Sequence, residues 1–203
     1  MPEHDLDNPG YAMKATRYQE LMEELLNDKL YMHSRGVAEA AAFLAKSYGE
    51  DKEKAYFAGI VHDYGKRYKQ EELIEKADQM ELHLDPVTRR ESRLLHAPVG
   101  AALLQSELQI KDPDVLRAVY YHTTGRKNMT GLEKIIYLAD YIEEGRDFEG
   151  SEKIRKIARE NPDRALLAAV EFAIRSVLER GLLLHPRSVA FRNSLVLARR
   201  ESE

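Results

Sequence analysis

Apolar residues recur at helical spacing along most of the chain. Leu21, Leu25 and Leu26 form one stripe, and Val37, Ala40, Ala41 and Leu44 form another that runs to Tyr48 and stops at Gly49. Spacings of three and four put these side chains on one helix face, and few stretches show the two-residue alternation of a half-buried strand. Turn residues cut the pattern at Gly49 to Asp51, Gly65, Asp85-Pro86, Asp112-Pro113, Gly125, Gly145, Gly150, Asn161-Pro162, Gly181 and Pro186. The segments between predict helices near 13–29, 33–48, 51–64, 70–79, 96–107, 113–122, 130–142, 151–159, 162–180 and 187–200. Asp51, Asp112 and Asn161 precede three of these and can each cap free N–H groups, with Pro113 and Pro162 in the first turn. The expected fold class is all-α: a single helical bundle over 13–203, with residues 1–12 as a disordered lead-in.

At 203 residues and 43% hydrophobic content the chain can bury one substantial core, which favours one domain over two. The 31 Lys and Arg against 35 Asp and Glu give a formal charge of -4, so no basic field spans the chain to hold a long nucleic acid. A small anionic ligand needs only a local cluster of cations. The absence of cysteine removes disulfides and thiolate chemistry, so any metal must take nitrogen and oxygen donors. The first ten residues are acidic and polar where a secretory leader is basic and then apolar. No apolar run approaches the roughly 20 residues of a membrane span. The longest, 165–174, is interrupted by Glu171. A soluble, cytoplasmic protein with no membrane partner is expected.

Seven histidines are present; His4 and His83 have polar surroundings, which leaves His33, His62, His96, His122 and His185 as candidates. His62-Asp63 ends the apolar run of Ala55, Phe57, Ala58, Ile60 and Val61 just before Gly65, putting an imidazole and a carboxylate in a buried setting. Neighbouring helical residues diverge by about 100°, so both reach one cation only if other helices close the shell. His33 and His96 open two predicted helices, His122 ends a third and Asp140 ends a fourth. Helix ends can converge where helix middles cannot. Imidazoles and carboxylates projecting from several helices of a bundle suit iron, manganese, zinc and related ions. Asp63, with two oxygens, can bridge two ions, with His33, His62 and Asp140 on one and His96 and His122 on the other. The structural alternative is that His96 caps the helix start at Ala97-Pro98, His122 caps a turn and Asp140 merely ends its helix.

The order His33, His62-Asp63, Asp140 resembles the HD superfamily of metal-dependent phosphohydrolases, and His96 with His122 resembles its two-metal branch. The segments His33-Ser34-Arg35-Gly36-Val37-Ala38-Glu39, His62-Asp63-Tyr64-Gly65-Lys66, His96-Ala97-Pro98-Val99-Gly100, Tyr121-His122-Thr123-Thr124-Gly125 and Ala139-Asp140-Tyr141-Ile142-Glu143 are together similar to the YqeK family. That family comprises bacterial symmetrical diadenosine tetraphosphate hydrolases. Leu184-His185-Pro186-Arg187-Ser188 with Arg192-Asn193 is similar to the family's ending, so the likeness covers roughly 28–195. It implies an HD-domain bundle with two divalent or trivalent metal ions, above all iron, held by His33, His62, Asp63, His96, His122 and Asp140. It also implies a dinucleoside tetraphosphate substrate split into two nucleoside diphosphates. Carried over by position, Asp63 and Lys66 take catalytic parts. The nucleotide would be contacted by His33, Lys66, His96, His122, Thr123, Asp140, Arg146, Leu183, Leu184, His185, Pro186, Arg187 and Ser188. Glu144 departs from the proline often found there, which puts the rigidity of the Arg146 loop in question. Arg35 is a second departure, read as solvent-facing.

Phosphoric anhydrides resist hydrolysis because their anionic oxygens repel a nucleophile. Two cations would neutralise that charge and activate a water for in-line attack on an inner phosphorus. A central cut in a four-phosphate chain needs a grip on both sides, for which Lys66, Arg146 and Arg187 come first, then Arg126, Lys127 and Arg192. His185 is expected to touch base or ribose, whereas Lys66 and Thr123 have plain helix-end roles as alternatives. Three other readings stay open: an HD phosphohydrolase for another nucleotide, a nucleotide-binding regulator without turnover, and a helical interaction module. Tyr and Leu on several helix faces leave room for a homodimer.

Overall fold

The computed structural model describes residues 10–202, which form eleven α-helices and, among the described residues, no strand. They are α1 (Tyr11–Leu25), α2 (Asp28–Tyr48), α3 (Lys52–Val61), α4 (Gln70–Gln79), α5 (Pro86–Arg90), α6 (Ser92–Ser106), α7 (Pro113–Tyr121), α8 (Gly131–Ile142), α9 (Ser151–Glu160), α10 (Pro162–Glu179) and α11 (Pro186–Ser202). A 3-10 turn, Tyr64–Arg67, follows α3. Most of the expected lead-in, residues 1–9, lies outside the described residues, and α1 begins at Tyr11, two residues inside it.

The three expected caps form. Asp51 accepts from Lys54 N at 2.6 Å, Asp112 from Asp114 N at 2.8 Å, and Asn161 from Arg164 N at 3.0 Å. Two helices start earlier than their patterns suggest. Asn27 caps α2 by accepting from Leu30 N at 3.0 Å, so His33 sits inside the helix rather than opening it. Likewise α6 begins at Ser92, so His96 is its fifth residue and Pro98 lies within the helix instead of in its first turn. Pro98 has no N–H for the Leu94 carbonyl, a local cost that the burial of Leu95, Ala97, Val99 and Leu103 outweighs. The short α5 was not expected. Asp85 creates it by accepting from Val87 N and Thr88 N at 3.1 and 3.0 Å.

The hydrophobic core centres on α2, α3 and α8, with α1 and α7 against α3 and with α9 and α10 against α8. α8 is buried over most of its length, including Leu132, Ile135, Ile136, Tyr137, Leu138 and Ala139. Its far end therefore carries Asp140 into the middle of the bundle. α6 packs on α7 and on the 3-10 turn. There Gly65 touches α6 directly, and a Cβ at this position would overlap the His96 carbonyl. That close approach brings His96 next to Asp63. No helix among the described residues is long and apolar enough to cross a membrane.

Candidate metal centre

Two of the histidines are helix caps and site residues at once. His62 follows the last residue of α3, and its Nδ1 lies 2.7 Å from the Gly59 carbonyl three residues back. His122 repeats this after α7, with Nδ1 2.7 Å from the Val119 carbonyl. A carbonyl oxygen only accepts, so each Nδ1 carries the proton and each Nε2 presents a lone pair. Each ring thus bonds a carbonyl in the last turn of its helix on one side and faces the site on the other.

Both Nε2 atoms face Asp63, which is fully buried. One carboxylate oxygen, Oδ2, is 3.3 Å from His62 Nε2, 3.5 Å from His33 Nε2 and 2.6 Å from Lys66 Nζ. The other, Oδ1, is 3.3 Å from His96 Nε2 and 3.4 Å from His122 Nε2. Asp140 Oδ1 joins the first group at 3.0 Å from His33 Nε2. Two clusters of ligand-type atoms result, His33 with His62 and Asp140, and His62 with Asp63 and His122. His96 adjoins the second, its Nε2 3.1 Å from that of His122. All six side chains singled out in the sequence converge here. His62, set beside the first oxygen only, belongs to both clusters.

Cations fit this donor set. His62 Nε2 and Asp63 Oδ1 are buried without a hydrogen-bond partner among the described residues. Both are lone-pair atoms, and burying such atoms unsatisfied is costly unless something positive meets them. Electrostatics agree. Burial opposes the charge on Asp63, but its cationic neighbours, Lys66 and His33 among them, hold its carboxyl well below the usual range. Asp140 is depressed likewise, its burial overcome by His33 and Arg146. Burial lowers His62 and takes His96 down to about 4, which keeps these imidazoles neutral and able to coordinate. His33 goes the other way: burial opposes its charge, yet hydrogen bonds to Asp140, Asp63 and Glu143 push it up to about 10.

Glu143 and Arg155 were not anticipated. Glu143, 5% exposed, lies 3.2 Å through Oε1 from His33 Nδ1. Gly36 makes room for it, since a Cβ there would stand 2.6 Å from Glu143 Oε2. Its Oε2 accepts from Gly145 N at 2.6 Å. Arg155 of α9 donates to the carbonyls of Ile142 and Glu143 at 3.0 and 3.1 Å and also to that of Arg146. These bonds hold the loop that Glu144, in place of proline, had put in question, and Glu144 itself is exposed. The loop delivers Arg146 onto Asp140, with Nε 2.7 Å from the Asp140 carbonyl and the guanidinium paired to its carboxylate.

A cavity of about 660 Å³ opens over the cluster, lined by His96, His122, Thr123, Asp140, Lys66 and Arg146 among others. Its Arg93 was not singled out from the sequence. A smaller adjoining cavity of about 60 Å³ is lined by Leu183, Leu184, His185 and Ser188 and shares Arg93, Leu94 and Thr123 with the larger. Pro186 starts α11, and Arg187 lies over the rings of Tyr120 and Tyr121, lining neither cavity. His185 is committed internally: Nδ1 accepts from Arg187 N and Nε2 lies 3.0 Å from Asp85. No ring nitrogen is left for the base or ribose expected from the sequence. Arg126 pairs with buried Glu133 and Arg192 with Glu171, so neither lines the cavity, nor does Lys127. Arg35 pairs with Glu39 on the surface, as expected.

The family model for the HD domain matches residues 30–145, the span that supplies all six clustered side chains. A symmetrical bis(5'-nucleosyl)-tetraphosphatase of Halalkalibacterium halodurans is 39% identical over 185 residues, covering 91% of this chain and 98% of the relative. The chain belongs to the HD-domain family, in its symmetrical bis(5'-nucleosyl)-tetraphosphatase branch. Another member so named, from Bacillus subtilis, is 38% identical over 86% of this chain and 94% of its own. The HD fold is matched by a crystal structure titled as a predicted HD superfamily hydrolase involved in NAD metabolism from Clostridium acetobutylicum. It is 42% identical, with a TM-score of 0.85 over 90% of this chain and 97% of that one.

Proposed function

We propose that this HD-domain chain hydrolyses dinucleoside tetraphosphates at their centre, converting diadenosine tetraphosphate into two molecules of ADP. The observation that carries this reading is the buried Asp63, whose two oxygens face separate sets of imidazoles beneath a cavity bearing Lys66 and Arg146. The names of the curated relatives support the substrate and the symmetry of the cut.

His33, His62, Asp63, His96, His122 and Asp140 would hold two cations, with iron the proposed metal. Cations there supply charge neutralisation and water activation for phosphoanhydride hydrolysis. The protein's own part is positioning. The helix-end carbonyls and Glu143 orient three of the four rings, so the donor atoms are in place before the substrate arrives. Lys66, whose ammonium is 2.6 Å from Asp63 and whose side chain lines the cavity, neutralises a phosphate bound over that carboxylate. Arg146, anchored on Asp140, faces the same cavity, and the hydroxyl of Thr123 is available to a phosphate oxygen. The stretch from Leu183 to Ser188 contributes apolar and backbone surface at the smaller cavity rather than an imidazole nitrogen.

The test is product analysis. Purified protein incubated with diadenosine tetraphosphate and a panel of other nucleotides should yield ADP as the sole nucleotide product of the former. ATP with AMP would mean an off-centre cut, and turnover of a mononucleotide alone would assign a different HD substrate. Tight nucleotide binding without product would identify a regulator.

A further inference from the structure

The residues so far assigned to the nucleotide cover only part of the large cavity's wall. The same wall contains Tyr141, Phe148 and Phe172, which neither the metal cluster nor the phosphate grip uses. Phe148 and Phe172 stack at 4.5 Å between centroids and 30° between planes, and Tyr141 meets Phe148 edge-on at 6.2 Å. All three are half-buried. The three rings pack against the core and also line the cavity, so part of each is accessible from it.

Their placement along the chain gives them a direction. Tyr141 and Phe148 flank Arg146 in the stretch that leaves Asp140, while Phe172 comes from α10. α10 stands between the two cavities: Phe172 and Ser176 line only the larger, Ile174 only the smaller, and Ala173 and Val177 both. A substrate with a nucleoside at each end, cut at its centre, must leave the metal cluster in two directions. Residues of the 183–188 stretch line the smaller cavity and the aromatic rings line the larger, so each can serve a different half of such a substrate.

We propose that Tyr141, Phe148 and Phe172 form a base-stacking subsite for one of the substrate's two nucleosides, an inference that rests on the dinucleotide reading above. Arg146, paired with Asp140 and lining the same cavity, takes the phosphates of the same half. Stacking on a ring face depends on the area of the base more than on its hydrogen-bonding edge, so the subsite favours purines without distinguishing adenine sharply from guanine.

Phe148→Leu and Phe172→Leu test this, because leucine keeps apolar volume and removes the ring face. The metal-loaded variants are assayed for KM and kcat with diadenosine tetraphosphate, and for inhibition by inorganic tetraphosphate, which has no base to stack. KM should rise about ten-fold in each variant with kcat retained, and the inhibition constant of tetraphosphate should stay at the wild-type value. An unchanged KM in both variants overturns the subsite. An equal weakening of substrate and tetraphosphate also overturns it, since that reports a distorted cavity. Wild-type protein that makes no ADP from diadenosine tetraphosphate removes the parent reading and this inference together. Wild-type turnover with unaltered variants removes the inference alone.

Discussion

At the scale of single residues, the site depends on a histidine having two nitrogens with different tasks. In His62 and His122, Nδ1 closes a helix-end carbonyl and Nε2 faces Asp63. Capping and coordination, which looked like rival readings of His122 in the sequence, are compatible, because one ring nitrogen is free to face the site while the other caps. His33 uses Glu143 in the same way as the others use carbonyls. Glu143→Gln should therefore keep the fold but weaken metal affinity about ten-fold, measured by competition with a chelator. Affinity equal to wild type would show that Glu143 does not orient the ring. Lys66→Ala should retain its metals and lose about 100-fold in kcat, as removal of a charge-stabilising donor does; an unchanged kcat would leave Lys66 a surface helix-end lysine. The six convergent side chains were legible because His-Asp dipeptides and helix-end histidines stand out against apolar runs. Glu143 and Arg155 were not, since their partners lie 110 residues away in one case and in a neighbouring loop in the other.

At the scale of elements, short polar caps decide where helices begin, and hence where the site residues stand. Asn27 and Asp85 each started a helix that hydrophobic spacing alone placed later or not at all. The position of Pro98 was misleading because a proline in a buried helix is tolerated when packing outweighs one lost hydrogen bond. Asp112 shows the energetic side. It caps α7, receives the hydroxyl of Tyr11 and pairs with Lys54 at 2.9 Å, so it ties α1 and α3 to α7. Burial raises its pKa, but Tyr11, Lys54 and the Asp114 N–H outweigh burial and lower it to about 2. A carboxylate with a depressed folded pKa stabilises fully above its unfolded value of about 3.9. That stabilisation is lost as pH falls through the folded value. Asp112→Asn should thus cost about 1 kcal/mol near neutrality, after allowing for solvent screening. In denaturant titrations the gap to wild type should shrink between about pH 4 and pH 2. A gap independent of pH would mean that the charge of Asp112 does not account for the loss.

At the scale of the whole molecule, helices from distant parts of the chain bring their ends to one floor, and the cavity above it sets what can bind. α3, α7 and α8 deliver His62, His122 and Asp140 from their C-terminal ends, while α2 and α6 pass His33 and His96 alongside. The all-α class and most helices were legible from periodicity. The aromatic wall and Arg93 were not, because they become neighbours only when α6, α10 and the stretch after Asp140 surround one space. The withdrawal of His185 into a bond with Asp85 was equally hidden, since it depends on α5.

The central claim is that Asp63, with the imidazoles on its two sides and Asp140, would hold two cations in one site. Elemental analysis of anaerobically purified protein, wild type beside Asp63→Ala, tests it most directly. Near two metal ions per wild-type chain, lost from the variant together with ADP formation, is the predicted result. Wild-type protein that binds no stoichiometric metal under these conditions, or an Asp63→Ala variant that keeps its full complement, would contradict it.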